Sequence, residues 1–452
     1  MAHFGRPMSD PSVPLDATAR AATAAAARAG VPVVPYSDER LPNGLRLVLS
    51  EDHLAPVVAV NVWYAVGSKH EQRGKTGFAH LFEHIMFQGS RHVAKTEHQG
   101  LVQGAGGTNN GTTWLDRTNY FETLPSHQLE LAIWLEADRM ATLLDALSQE
   151  NLDNQREVVK NERRLRYDNQ PYGLAWEKLQ AAVFPEGHGY HHSPIGSMAD
   201  LDAASLEDVR GFFRTYYAPN NAVLSIVGDF EPNEARAWAA RYFGPIPPNP
   251  SIPPLGDMSL PPILGTEYRE VVPDDVPLPR MHLGLRAPVW GDPAFDALEV
   301  AAQILAGGKA SRLYHRLVRE ERIAQDVSAS AIPLVSGASL FALVATASPG
   351  TDIEQVEAAC WQEMERIAYE PVTADELARA QALLETAELA ALQHVEERAD
   401  RLGMYATLFD DPGRINEQLA RYLAVDAVAV QAACAASLLP DNRAFVIYVP
   451  KS

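Results

Sequence analysis

Cysteine is scarce in this sequence, whose 452 residues include only Cys360 and Cys434. Two cysteines can build neither a disulfide framework nor a cysteine-based metal site. Both lie in alanine-rich stretches typical of helices, and free cysteine is usually buried, so we expect two small core residues. Long apolar runs are also missing, since none approaches the ~18–20 residues that a membrane-spanning helix needs. We therefore expect neither a disulfide-stabilised scaffold nor a membrane span.

Basic residues are few relative to acidic ones. The chain has 38 lysines and arginines against 58 aspartates and glutamates, which gives a net charge of −20 at pH 7. Such a surface repels a phosphate backbone, so we expect no nucleic-acid partner, whereas cationic peptides would be attracted. Apolar residues make up 46% of the chain, a share that is ordinary for globular proteins. At roughly 100–200 residues per domain, the length predicts more than one domain.

The N-terminal residues are rich in alanine but carry no signal peptide as written. Asp16, Arg20 and Arg28 interrupt them, and an apolar central region is lacking. We expect residues 1–34 to form an N-terminal extension. The sequence is compatible both with a cytoplasmic protein and with the mature form of an exported protein.

A proline-rich stretch divides the chain. Residues 245–262 contain eight prolines in eighteen positions. Proline at this density interrupts helices and central strands and favours a stiff, extended segment. We therefore expect a linker at 245–262, between an N-terminal domain at 35–244 and a C-terminal domain at 263–452.

The two predicted domains end alike. In each, a helical pattern runs into Pro-x-Asn and then into a β-branched strand, at Ala222–Val227 and at Ala444–Val449. The first domain opens with Leu45–Leu49 and Val57–Tyr64, which we expect to be two strands paired around a turn, and the second opens with a strand at Arg280–Arg286. These patterns predict an α+β fold made of two homologous domains, each an antiparallel or mixed sheet covered by helices.

Three segments have strong helical patterns. Gln128–Leu147 repeats apolar residues at helical spacing, and Asn151–Tyr167 is charged and uninterrupted by glycine or proline. Ala374–Met404 is rich in alanine, leucine and glutamate. We expect a helix over each segment, with a long one over the last.

The motif that carries chemistry is His80-x-x-Glu83-His84, in an apolar stretch. On a helix, residues four apart share a face, so both imidazoles could bind one metal ion. Glu83 would lie on nearly the same side, in the reverse order of the commoner zincin motif. The alternative is a pair of surface histidines. The apolar neighbours argue against it, because burying three polar side chains without a shared purpose is costly.

Catalytic zinc takes three protein ligands and keeps one position open. Glu157 and Glu162, in the charged helical segment, are candidates for the third ligand. They are five residues apart, so about 140° separates them around a helix and only one can face the histidines. The residues alone leave this choice open.

The stretch Gly77–Gly89, GFAHLFEHIMFQG, resembles the inverted-zincin metallopeptidases of the pitrilysin family, which includes insulin-degrading enzyme and mitochondrial processing peptidase. Residues 106–112, 155–163 and 216–229 are also similar to that family, and the resemblance is denser in the first half of the chain. It implies a bacterial, processing-peptidase-like member that carries the zinc motif.

The resemblance implies one Zn²⁺ per chain, held by His80, His84 and Glu162, with Glu83 as the catalytic base. The C-terminal domain would lack a metal site. The family's earlier acidic residue falls at Gln155 here, a departure that questions a supporting electrostatic role but not the ligand.

The resemblance also implies half of a clamshell, in which two domain pairs close around a peptide chamber. Gly106–Thr112 would be an edge strand to which substrate adds as a further strand. The substrate-binding residues would be Gly107, Thr108, Asn109 and Asn110, with Asn109 near the metal. Without the resemblance, a glycine-rich turn would be the preferred interpretation.

Family members that work alone, or that complement another subunit, carry an Arg and a Tyr in the C-terminal half. Here those positions hold Val318 and Gln325. Arg319 directly follows Val318, but a shift of one position turns a helical side chain by about 100°, so Arg319 does not replace the family's arginine. The resemblance therefore implies a heterodimer in which a similar partner subunit supplies the Arg/Tyr pair.

Together these features predict a zinc-dependent endopeptidase subunit that hydrolyses unfolded peptides in a closed chamber. The alternatives are a non-catalytic scaffold subunit of a larger complex and a self-sufficient homodimeric peptidase. Bacterial relatives of this kind are often exported, which favours the periplasm over the cytoplasm.

Overall fold

The strands form two sheets in the computed structural model, which describes residues 33–451. Residues 1–32, most of the expected N-terminal extension, lie outside the described part. The first sheet has the order β1-β2-β6-β3-β5-β4 and the second the order β7-β11-β8-β10-β9. The strands are Ser37–Arg40 (β1), Arg46–Glu51 (β2), Val57–Tyr64 (β3), Thr108–Thr113 (β4), Thr118–Pro125 (β5), Ala222–Gly228 (β6), Tyr268–Asp274 (β7), Arg280–Ala287 (β8), Ala324–Ile332 (β9), Ser339–Ala347 (β10) and Ala444–Pro450 (β11).

Helices connect and cover these sheets. In the first half they are Phe78–Ile85 (α1), Glu97–Gly104 (α2), Leu129–Ala146 (α3), Gln149–Arg163 (α4), Ala175–Val183 (α5), Met198–Ala203 (α6), Leu206–Tyr216 (α7) and Pro232–Tyr242 (α8). In the second half they are Pro293–Ala306 (α9), Ile353–Tyr369 (α10), Ala374–Ala391 (α11), Val395–Phe409 (α12), Gln418–Ala424 (α13) and Ala427–Ser437 (α14). The described part of the chain also contains two π-helical turns, at Arg164–Asp168 and at Tyr314–Glu320.

The two sheets repeat one topology. Leaving out β1, the order β2-β6-β3-β5-β4 corresponds strand for strand to β7-β11-β8-β10-β9. In both sheets the first of these pairs is parallel and the other three are antiparallel. The expected α+β class, with two similar mixed-sheet domains covered by helices, is confirmed.

Strands β2 and β3 are not paired with each other, so the expectation of two strands joined by a turn is wrong. Strand β6 lies between them, parallel to β2 and antiparallel to β3. All seven residues of β6 are buried. A strand buried on both faces belongs at the centre of a sheet. Strand β6 lies near the C-terminal end of this domain in the sequence, far from β2 and β3.

The long helix expected at Ala374–Met404 is two helices, which corrects that prediction. Helix α11 ends at Ala391 and α12 begins at Val395, with His394 in extended backbone between them. Neither glycine nor proline marks the break in the sequence. The turn carries α12 away from α11 and onto the first sheet.

Each sheet is covered on one face by a helix from the other half of the chain. Helix α12 packs on strands β3 and β6 of the first sheet, while α5 packs on β8 and β11 of the second. The apolar residues of the first contact are Val48, Ala59, Trp63, Val223 and Val227 with Ala399, Leu402, Tyr405 and Ala406. This exchange ties the two halves into one packed body.

The remaining expectations concern segments outside the sheets. Cys360 and Cys434 are free and buried, as expected. Residues 245–262 contain no helix or strand. Within residues 33–451, no single helix is both long enough and apolar enough to span a membrane. The helices Gln418–Ala424 and Ala427–Ser437 have the required length and apolar character only when taken together, and a 92° bend separates them.

Candidate metal centre and peptide-binding edge

Helix α1 carries the motif and is held by its apolar face. Its buried residues are Phe78, Ala79, Leu81, Phe82 and Ile85. Because these positions face the core, the three motif side chains lie on the opposite side, towards α4 and β4. The helical pattern of the sequence therefore decides which face of α1 carries the chemistry.

Glu71 caps the N-terminus of α1. Its carboxylate accepts hydrogen bonds from the backbone N–H of Ala79 at 2.7 Å and of Gly77 at 2.8 Å. The Nε2 atom of His192 lies 2.8 Å from the same carboxylate, whose side chain is fully buried. A negative charge stabilises a helix N-terminus, because the unpaired N–H groups there carry partial positive charge. Sequence reasoning missed Glu71, although an acidic residue shortly before a helix start was available as a signal.

Glu162 lies in the last turn of α4, a helix that begins with Ser148 accepting a hydrogen bond from the N–H of Asn151. The π-helical turn Arg164–Asp168 follows directly, and such turns are frequent at functional sites. Glu162 faces α1, whereas the side chain of Glu157 is 57% exposed and pairs with Lys160 at 2.9 Å. The tertiary structure therefore brings Glu162, and not Glu157, to the histidines.

The three candidate ligands meet in space. Oε2 of Glu162 lies 3.2 Å from Nε2 of His84 and 3.7 Å from Nε2 of His80. The two imidazole rings are 4.8 Å apart and nearly perpendicular. The other carboxylate oxygen of Glu162 pairs with Arg166 at 3.0 Å. One nitrogen or oxygen from each ligand lies within 4.8 Å of the other two.

This donor set fits zinc. Zinc–ligand bonds of about 2.0–2.1 Å at tetrahedral angles separate neighbouring ligand atoms by about 3.3 Å, close to the distances found here. Metal binding requires neutral histidine and ionised carboxylate. Burial, helped by the neighbouring His84, lowers the pKa of His80 to about 4. The hydrogen bond with His84 lowers the pKa of Glu162.

Glu83 lies between α1 and the edge strand β4. Its Oε2 accepts a hydrogen bond from Oγ1 of Thr113 at 2.6 Å. Burial raises the pKa of Glu83, and the bond from Thr113 opposes that rise. Gly111 permits the close approach of the strand, because a Cβ atom there would come within 3.2 Å of Cγ of Glu83. Sequence reasoning missed Thr113, which no motif singled out.

A cavity of about 410 Å³ opens over the three candidate ligands and Glu83. It is also lined by Asn110, Gly111, Thr112, Thr113, Trp114, Arg166, Tyr167, Pro194 and Ile195. Among residues 33–451, strand β4 pairs only with β5, so within this part of the chain its outer backbone edge is free to accept another strand. The cavity thus joins the candidate metal centre to a sheet edge.

Three of the four residues expected to bind substrate lie on this strand, and of the four Asn110 lines the cavity. Thr108 and Asn109 come earlier on β4, and Gly107 directly precedes it. The Nδ2 atom of Asn109 is buried without a hydrogen-bond partner among the described residues. Asn109 directly precedes Asn110 on β4, and its expected place near the metal stays a prediction.

The positions that hold an Arg/Tyr pair in the family do not contribute to this cavity. Val318 packs against the core of the C-terminal half, and Gln325 lies exposed on β9. Arg319 is exposed as well. Gln155, where the family carries an acid, is buried in α4.

A second group of side chains brings three possible metal ligands close together. His98, Glu122 and Glu136 are buried with ligand atoms within 4.8 Å of one another. Arg139 already occupies this group, since it donates two hydrogen bonds to Glu136, and His98 lies 2.7 Å from Glu122. The cluster is therefore an internal ion network with its own cation.

Two family models match most of the described chain. Residues 46–190 match the one described as Insulinase (Peptidase family M16), and residues 203–384 match the one described as Peptidase M16 inactive domain. The chain belongs to peptidase family M16. This confirms the resemblance inferred from the motifs, and all four residues of the candidate metal centre fall in the first matched region.

Named relatives of this M16 chain include zinc proteases. Zinc protease PqqE of Helicobacter pylori is 28% identical over 368 residues, covering 81% of both chains. The probable mitochondrial-processing peptidase subunit beta of Arabidopsis thaliana is 25% identical over 406 residues, covering 86% of this chain and 74% of that one. The crystal structure of a protease from Helicobacter pylori is similar with a TM-score of 0.86 at 26% identity, covering 92% of this chain and 100% of that one.

Proposed function

We propose that this chain is the zinc-binding catalytic subunit of a peptidase that cleaves unfolded peptides. The observation that carries the proposal is the convergence of His80, His84 and Glu162 beside Glu83, on the floor of a cavity that meets a free sheet edge. Relatives named as zinc proteases support the choice of metal.

The chemistry follows from the positions of these side chains. His80, His84 and Glu162 would hold the zinc, which when bound would polarise a peptide carbonyl and lower the pKa of water. Glu83, which lines the same cavity as these ligands, would take a proton from the attacking water and return it to the leaving amine. Thr113 holds the carboxylate of Glu83 in one orientation through its 2.6 Å hydrogen bond.

Substrate would bind along β4 as an added strand. Backbone pairing to Gly107, Thr108, Asn109 and Asn110 grips any extended peptide without reading its side chains, so the substrate must be unfolded. The net charge of −20 favours basic peptides. A chamber closed by a second subunit would keep folded proteins out.

A partner subunit would complete the site. Val318 and Gln325 stand where family members carry Arg and Tyr, so this chain supplies metal and base but no such donors to the developing oxyanion. Loss of one oxyanion donor typically slows turnover by on the order of 10²–10³. We therefore expect slow cleavage by the chain alone, and faster cleavage with a similar subunit that carries the pair.

The proposal is tested by measuring bound zinc and peptide cleavage on the same preparations. We expect one zinc per chain, loss of zinc in Glu162→Gln, and retained zinc with cleavage lowered by about 10²–10⁴ in Glu83→Gln. Glu157→Gln, on the same helix but exposed, is the matched control and keeps both zinc and activity. Unchanged cleavage in Glu83→Gln would contradict the proposal.

A scaffold subunit is the second candidate, because residues 203–384 match a model described as an inactive domain. The same preparations separate the two candidates. A chain that binds zinc yet cleaves no peptide, either alone or with the subunit that co-purifies from native cells, would be a scaffold.

A further inference from the structure

The hairpin of β4 and β5 is tied to the C-terminal half of the chain, although the candidate metal centre lies in the N-terminal half. Strand β4 carries the free edge and Thr113, the hydrogen-bond partner of Glu83. Helix α12 of the C-terminal half packs on the sheet beside it. Three of the polar contacts across this junction meet on one carboxylate.

That carboxylate is Asp400, on α12. Its Oδ1 accepts three hydrogen bonds from the first sheet: from Nδ2 of Asn119 at 2.9 Å, from Nε1 of Trp63 at 3.0 Å and from Nδ2 of Asn61 at 3.1 Å. Burial raises the pKa of Asp400, while the nearby Arg117 guanidinium opposes that rise. A carboxyl oxygen with three donors is rigidly held, so it can hold its partners in turn.

The network continues from Asn119 to the edge strand. Oδ1 of Asn119 accepts hydrogen bonds from Oγ1 of Thr112 at 2.5 Å and from Nη1 of Arg117 at 3.0 Å. Arg117 also donates to the backbone carbonyl of Thr112 at 2.9 Å and to its hydroxyl. The guanidinium lies over the ring of Trp63, 5.0 Å from its centre. Thr112 is thereby fixed through its side chain and its backbone.

Thr112 and Thr113 are consecutive, so their side chains leave β4 on opposite sides. The first joins the network that ends on Asp400, and the second holds Glu83. A shift of the strand on the Asp400 side therefore moves the group that orients the proposed base. It also moves the backbone edge to which a peptide would pair.

We propose that Asp400 is a positioning residue, through which the C-terminal half holds the peptide-binding edge strand β4 in register with Glu83. The C-terminal half would then contribute to the site without touching substrate. This inference rests on the proposed function, but its physical part, the order of β4, can be measured without catalysis.

Amide hydrogen exchange of the full chain tests the proposal. In Asp400→Ala we expect amides of residues 108–113 to exchange at least tenfold faster than in the unaltered chain. Asp400→Asn keeps one acceptor oxygen but loses the charge opposite Arg117, so we expect a smaller, about threefold, increase. The matched control is Asp52→Asn, which breaks the 2.6 Å ion pair with Arg398 on the same helix but has no link to β4. Its exchange at 108–113 should be unchanged.

Peptide binding is measured in the Glu83→Gln background, so that cleavage does not interfere. For a fluorescent, unfolded basic peptide we expect the dissociation constant to rise at least fivefold on adding Asp400→Ala, with zinc content unchanged. If Asp400→Ala does not fold, the proposal is tested by comparing amide exchange at residues 108–113 between Asp400→Asn and Asp52→Asn.

Equal exchange in Asp400→Asn and the unaltered chain would overturn the proposal. Equal acceleration in Asp52→Asn would overturn it too, because a general loosening of the junction would then explain the effect. Faster exchange at 108–113 in a chain that cleaves no peptide, either alone or with the subunit that co-purifies from native cells, would leave the positioning role intact and refute the peptidase function instead.

Discussion

Four ionisable side chains are buried together beneath the edge hairpin. His98, Glu122, Glu136 and Arg139 are each at most 4% exposed. Burial raises the pKa of both glutamates to about 7 and lowers that of His98 to about 3. The Arg139 guanidinium supplies the positive charge beside these two carboxyls, donating two hydrogen bonds to Glu136. Charges buried in this way survive only when paired, because desolvation costs several kcal/mol for an unpaired ion.

The two glutamates of this cluster each contribute stability that falls as pH rises, whereas His98 contributes in the opposite direction below about pH 6.5. Between the unfolded pKa near 4.5 and the folded pKa near 7, each glutamate binds more protons in the folded state than in the unfolded state, so its contribution to the free energy of unfolding decreases with pH. In Glu122→Gln one titrating carboxyl is gone. We expect the decrease between about pH 5 and about pH 8 to be smaller by up to ~3 kcal/mol, at ~1.4 kcal/mol per pKa unit.

Urea unfolding at several pH values measures this difference. The control is Glu207→Gln, because Glu207 is 73% exposed and should leave the pH dependence unchanged. Parallel pH profiles for Glu122→Gln and the unaltered chain would show that the cluster does not titrate as inferred.

The helix that carries the metal motif depends on contacts outside itself. Helix α1 has only eight residues, and isolated helices of that length are unstable in water. Packing of its apolar face and the cap from Glu71 must therefore stabilise it. His192, in a loop that the sequence marks only by clustered histidines, holds that cap in place.

Removing the cap should weaken metal binding before it unfolds the protein. Glu71→Ala leaves two backbone N–H groups buried without their acceptor, at a cost of about 1–3 kcal/mol each. We expect the melting temperature to fall and zinc affinity to drop at least tenfold, measured by thermal unfolding and by competition with a chelator. Glu186→Ala, which breaks the exposed pair with Arg73, should change neither. Unaltered zinc affinity in Glu71→Ala would show that α1 keeps its geometry without the cap.

The whole molecule unfolds, we expect, as one unit, because each sheet is covered by a helix from the other half. At the α12 contact, a Cβ atom on Gly403 would come within 2.6 Å of Cδ1 of Trp63. Gly403→Ala should therefore lower stability by about 1–3 kcal/mol, although alanine is the better helix former.

Calorimetry checks this expectation. Gly403→Ala and the unaltered chain should each show one thermal transition, and the transition temperature should be lower in Gly403→Ala. The control is Gly211→Ala in α7, where a Cβ atom meets nothing within 4 Å and should be neutral or stabilising. A second transition that moves alone in Gly403→Ala would show that the halves unfold independently.

Much of the fold follows from local pattern. The closing strands at Ala222–Val227 and Ala444–Val449 and the helix at Gln128–Leu147 lie within a few residues of their predicted positions. Errors arose where partners come from elsewhere in the chain. The order of strands around β6 and the break before α12 both depend on surfaces far away in the sequence, which no local window contains.

The sequence by itself determined the motif helix, the duplicated α+β unit and the family, because hydrophobic periodicity and short motifs are local properties of the chain. Only the tertiary structure decided that Glu162 and not Glu157 faces the histidines, that Thr113 holds Glu83, and that Asp400 reaches the edge hairpin. Each of these contacts joins separate elements, and the angle at which two packed elements meet is set by the whole core between them.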